Sequence, residues 1–153
     1  MGVSIDGTGA EDEAGKSVSM SADGLTVAVG SFLNDDNGNN AGHARVFRYN
    51  AGTWSQLGAA IQGEVAGDKC GTAVSLSANV EILSVSSPNN DGGGLDRGHV
   101  RVFKLVSGTW MQQGNAINGE ADTDRSGDAI SISDDGQTLA IGASSNDAGG
   151  TIS

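Results

Sequence analysis

Apolar and polar residues alternate along this chain in runs of strand length. Thr72-Ala73-Val74-Ser75-Leu76-Ser77 sets Val74 and Leu76 on one face against serines on the other, and Glu81-Ile82-Leu83-Ser84-Val85-Ser86 follows after a turn at Ala78-Asn79. A period of two marks half-buried strands. We name these strands A and B. A Gly/Asn/Asp-rich loop from Pro88 to Gly98 leads to strand C, His99 to Leu105, and a turn at Ser107-Gly108 leads to a short strand D around Trp110-Met111-Gln112.

The four-strand pattern recurs every 56 residues: Gly42-His43-Ala44-Arg45-Val46-Phe47 returns as Gly98-His99-Val100-Arg101-Val102-Phe103, and Trp54 returns as Trp110. Val18-Ser19-Met20-Ser21 returns twice, as Val74-Ser75-Leu76-Ser77 and Ile130-Ser131-Ile132-Ser133. Self-similarity at a fixed period marks units that bury their apolar faces against one another. The pattern divides one domain into repeats at 1–57 and 58–113 and a truncated third at 114–153.

Four meandering antiparallel strands per repeat predict an all-β fold of β-propeller blades, about two and a half of them, with the A strands near Val18, Val74 and Ile130 innermost. A parallel β-helix would repeat at a shorter period, and nothing in an immunoglobulin sandwich demands the recurrence. Closed propellers have four to eight blades, so the expectation is a segment of a larger propeller, or a ring completed by self-association. Phe47, Phe103, Trp54 and Trp110 read as packing between blades. Ile5, Ile61 and Ile117 read as apolar pins in the D–A connections.

Gly71 ahead of Ala73-Val74-Ser75-Leu76, the ending Val85-Ser86-Ser87-Pro88, and Gly98-His99-Val100-Arg101-Val102-Phe103 together resemble the FG-GAP repeat of integrin α-subunit propellers. The Phe of the Phe-Gly pair is replaced by Ala14, Cys70 and Ser126, and Gly-Ala-Pro survives only as Gly30-Ser31-Phe32, Ser86-Ser87-Pro88 and Gly142-Ala143-Ser144. That family's calcium loop, Asp-x-Asp-x-Asp-Gly between strands A and B, has no counterpart. Ala22-Asp23-Gly24 and its equivalents are too short to supply six to eight oxygens. The resemblance implies an extracellular or cell-surface module that binds a protein or glycan ligand.

Composition narrows the field. Twenty-five glycines and one proline suit short strands joined by many turns. Nineteen acids against eight bases give a net charge of -11, which disfavours nucleic acid. No apolar run approaches the length of a membrane span. Cys70 is the single cysteine, at a position where Ala14 and Ser126 show that a small residue is wanted.

In an up-and-down blade the B–C loops and D–A connections share one rim. Nine carboxylates fall in D–A connections (Asp6, Glu11, Asp12, Glu13, Glu64, Asp68, Glu120, Asp122, Asp124) and five in B–C loops (Asp35, Asp36, Asp91, Asp96, Asp147). Within these loops, Glu64, Asp68, Asn90 and Asp91, and their equivalents Glu120, Asp124, Asn146 and Asp147, are the oxygen donors a calcium ion prefers. The same residue types cap turns by bonding to nearby amides. His43 and His99 open strand C, where packing near the rim is the expectation, and Arg45 and Arg101 are expected to pair with a carboxylate of a neighbouring blade. No catalytic motif is visible. The reading is a non-catalytic binding, adhesion or scaffold module with its ligand face on the acidic rim. The alternative is part of a glycan-processing propeller enzyme whose catalytic blade lies outside the segment.

Overall fold

The computed structural model describes residues 3–147; Met1 and the close of the third repeat, including Thr151-Ile152-Ser153, lie outside the described residues. The first unit is a meander of β1 (Ser17–Met20), β2 (Thr26–Ser31), β3 (His43–Asn50) and β4 (Thr53–Gln56), followed by a two-residue strand, β5 (Ile61–Gln62). The second repeats it as β6 (Val74–Leu76), β7 (Ile82–Ser87), β8 (His99–Val106), β9 (Thr109–Gln112) and β10 (Ile117–Asn118). The third holds β11 (Ser126–Ile132) and β12 (Leu139–Ala143). All strand pairs are antiparallel, and the described residues contain no helix.

Strands A to D appear where the alternation places them. The two-residue strands do not. β4 pairs with the far half of β3, while β5 pairs with its start, Gln62 opposite His43 and Ile61 opposite Ala44. The outer strand of each sheet is therefore in two pieces, and Ile61 and Ile117, expected as loop pins, are strand residues.

The main core lies between units rather than within one. Ala28, Ala44, Val46 and Ile61 of the first unit pack with Val74, Leu76, Leu83, Val85, Phe103 and Trp110 of the second. Burying one such aliphatic side chain is worth about 1.5–3 kcal/mol, so each sheet depends on its neighbour. Hydrogen bonds set the same junction. The Leu76 amide donates to Ser19 Oγ and the Ile132 amide to Ser75 Oγ, each at 2.9 Å across 57 residues of sequence. An innermost strand has a free row of amides, and the preceding unit's serines satisfy them. The Trp110 indole closes the outer side by donating to the Leu57 carbonyl at 2.9 Å.

Two recurrent turns fix the approach. In the A–B turns Ser21, Ser77 and Ser133 donate to Asp23, Asn79 and Asp135, and accept the amides of Thr26, Ile82 and Thr138. At the crossing between units, Gly71 has φ 87°, and a Cβ there would run into the His43 carbonyl. Only glycine suits that position. Two such sheets and the β11–β12 pair, joined through their innermost strands, form a segment of a β-propeller.

Candidate functional site: the acidic rim

The D–A connections and B–C loops do meet on one rim, and main-chain bonds lace them together. The Gly67, Lys69 and Cys70 amides donate to the carbonyls of Asn39, Asn40 and Ala41; one period on, Thr123, Arg125 and Ser126 donate to Leu95, Asp96 and Arg97. Each connection is thus bound to the B–C loop of the unit before it. Backbone groups in such loops need partners as strictly as those in strands.

Within each connection one aspartate turns inward. Asp68 and Asp124 are each 1% exposed and Asp12 is also buried. Asp68 Oδ2 accepts the amides of Glu64 and Val65 at 2.9 and 3.0 Å, Asp124 Oδ2 that of Ala121 at 2.8 Å, and Asp12 Oδ2 that of Gly9 at 2.7 Å. The flanking residues take positive φ: Glu11 and Glu13, Gly67 and Lys69, Thr123 and Arg125. The sharp double turn is what lets the carboxylate reach its own loop's amides. The Asn34 amide bonds Asp12, and that of Asn146 bonds Asp124, fastening the connection to the following B–C loop as well. Burial alone would raise the Asp12 carboxyl, but bonds from Asn34, Thr8 and the Gly9 amide outweigh it and hold its pKa below the ordinary value.

The candidate calcium ligands are therefore dispersed. Asp68 and Asp124 point inward as caps, Asn90 Oδ1 accepts the Gly92 amide, and Asp91 Oδ1 brackets its loop by accepting the Asp96 amide at 2.7 Å. Glu64, Glu120 and Asp147 are exposed. Among the described residues no three His, Cys, Asp or Glu side chains gather as a metal site would require. Of the fourteen rim acids, the three inward aspartates are buried and Asp96 is half-buried, accepting from the Asn89 side chain. The other ten are exposed, although Asp35 and Asp91 also accept loop amides and Asp122 pairs with Arg97.

His43 and His99 are buried beneath this rim, His43 3.6 Å from Asp36. Burial first, then the charge of Arg45 or Arg101, pushes both imidazole pKa values down. Arg45 departs from expectation, and Arg101 keeps a carboxylate contact beside a closer main-chain partner. Each donates to a main-chain carbonyl, Arg45 to Asp6 at 2.7 Å and Arg101 to Gln62 at 2.6 Å, and each lies over its own strand's Phe47 or Phe103 ring. Glu64 lies 3.8 Å from Arg101, a looser contact than the carbonyl bond. An always-charged planar donor, held beside an apolar ring, anchors the crossing more closely than a carboxylate pair at an exposed edge. Cys70 is wholly buried beside it, its Sγ 3.6 Å from Arg101 Nη2, and burial pushes the thiol's pKa up.

The capping read from the sequence for Asp68 and Asp124 is what they do, and their depth of burial is what the sequence did not signal. Sequence reasoning missed Ser19 and Ser75 as inter-unit acceptors, although their recurrence was on view. Among the described residues no helix is long and apolar enough to cross a membrane.

Comparison with known proteins agrees with this architecture. No curated protein matches the chain. Hydrazine synthase of Kuenenia stuttgartiensis is similar in structure, with a TM-score of 0.52 at 16% identity over 93% of this chain. The match covers 33% of that longer chain, and at such identity the likeness is one of fold. The model of the FG-GAP repeat matches residues 3–47, from the first crossing into β3. That stretch is an FG-GAP repeat, and the units after it reproduce its turns and its inter-unit bonds.

Proposed function

We propose that the chain is a non-catalytic binding, adhesion or scaffold module of an extracellular or cell-surface protein, and that it presents its acidic rim to a protein or glycan ligand. One observation carries this reading: the rim loops are cross-bonded into a firm surface on which ten carboxylates are exposed. A fixed field of one sign recruits a complementary surface. The FG-GAP match over residues 3–47 supports it through the resemblance to integrin propellers. The exposed Glu64, Glu120 and Asp147 would let calcium bridge rim and ligand.

The competing reading is a fragment of a propeller enzyme, and one structural relative, the hydrazine synthase, is itself an enzyme. The near-equivalence of the units argues against it here, since an active site needs one unit to differ from the rest. The test uses the labelled chain on a glycan array and a panel of basic proteins. Asp36→Asn, Glu64→Gln and Glu120→Gln together should abolish capture, while Glu81→Gln on the opposite rim should not. Capture indifferent to the rim changes would refute the reading.

A further inference from the structure

Ser31 stands directly opposite His43 where β2 pairs with β3, and Ser87 stands opposite His99 where β7 pairs with β8. All four are enclosed, the serines 0% exposed and the histidines 1% and 2%. Opposed residues of an antiparallel pair share a face of the sheet, their Cβ atoms about 4.5–5.5 Å apart. A hydroxyl and an imidazole so placed could bond, yet in neither unit do they. The Ser31 and Ser87 hydroxyls, both ring nitrogens of His43 and Nε2 of His99 are buried without a hydrogen-bond partner.

Buried polar groups are bonded in the great majority of cases, so the same orphans on the same two strands in both units call for a ligand. Nearby protein groups do not supply it. Asp36 Oδ2 approaches His43 Nδ1 only to 3.6 Å, and Gly92 takes its place in the second unit. The Cys70 thiol beside the Ser87 hydroxyl offers a weak contact, and its equivalent in the first unit is Ala14. Arg45 and Arg101, two residues along strand C, are turned to the Asp6 and Gln62 carbonyls.

The chemistry of the orphans selects the occupant. A hydroxyl both donates and accepts, and a neutral imidazole donates at one nitrogen and accepts at the other. A cation wants acceptors alone and would be repelled by Arg45 or Arg101, whose charges reach the histidines; an anion wants donors alone and would meet the fields of Asp12 or Asp68. Water has both capacities. It also spans a polar gap too wide for a direct bond.

We propose that each Ser–His pair binds a buried water molecule between its two strands, at Ser87 and His99 in the second unit and at Ser31 and His43 in the first. In the second unit the site lies within the seam: Leu83, Val85 and Phe103, on the same sheet face, belong to the core shared with Ala28, Ala44 and Val46 of the first. None of the exposed rim carboxylates takes part, so the site is separate from the ligand face.

Crystals of the 153-residue chain that diffract well enough to show waters test this directly. A density peak should lie within hydrogen-bonding reach of Ser87 Oγ and His99 Nε2, and another between Ser31 and His43. In solution, water magnetic relaxation dispersion reads long-lived internal waters. Its amplitude should fall in Ser87→Ala and fall further when Ser31→Ala is added. Ser84→Ala, equally enclosed but already bonded to the Ser75 carbonyl, should leave it unchanged. A direct Ser87–His99 bond with nothing between, or an anomalous signal marking an ion there, would overturn the proposal. So would an unchanged amplitude in Ser87→Ala. The crystal result needs no variant and decides even if a substitution fails to fold.

Discussion

Trp54 and Trp110 occupy the same place in successive units and live in different surroundings. Trp110 is buried and bonds across the junction to Leu57; Trp54 is half-exposed and leans on its own unit's Tyr49, ring centroids 5.2 Å apart. The innermost strands show the contrast more sharply. Val74 and Leu76 are 5% and 6% exposed, their equivalents Val18 and Met20 61% and 57%. Identical design therefore yields unequal stability, because a repeat residue acquires its value from the unit that covers it.

The largest effect should come from breaking the covered side. Trp110→Ala should cost about 3–5 kcal/mol and Trp54→Ala less than half of that, read as chemical-denaturation midpoints. Equal costs would mean that coverage by the neighbour is not what counts.

Acid should act next, and on both units alike. His43 and His99 are equally buried because the crossing, not the neighbouring sheet face, covers the start of strand C. Their folded pKa values lie below the ordinary value of about 6.5, so the unfolded chain binds protons first. The stability they confer is fully present above that value and is lost as pH falls from it through the lowered folded values. Melting temperatures recorded between pH 7.5 and 5 should decline, and a flat profile would show that the imidazoles are not held neutral.

Smaller still is the inter-unit hydroxyl. Ser75→Ala strands the Ile132 amide and should cost about 1 kcal/mol. Ser131→Ala, at the uncovered equivalent position, should change the melting temperature within error. The smallest expected effect concerns calcium: with Asp68 and Asp124 engaged by loop amides, the melting temperature should be the same in chelator and in millimolar calcium. A rise of several degrees with calcium would mean that these carboxylates leave their turns to bind it.

What could be read beforehand follows from which signals are local. Strands A to D rest on alternation, a property of neighbouring residues, and they form where it places them. β5 and β10 are two residues long, too short to alternate, and exist only because β3 and β8 outrun β4 and β9. The inward turn of Asp12, Asp68 and Asp124 depends on positive φ at the residues beside them. Four of those six are Glu, Lys or Arg, which do not advertise that conformation. The arginines' choice of a carbonyl over a carboxylate depends on where the crossing passes, a relation between residues 39 apart in sequence.

Cys70, the chain's lone thiol, sits at the seam between the first and second units, wholly enclosed. A thiol reagent can reach it only when that seam parts, and only the thiolate reacts. Its labelling rate under native conditions therefore measures how often and how fast the two sheets separate, which gives the protein a built-in clock for its own breathing.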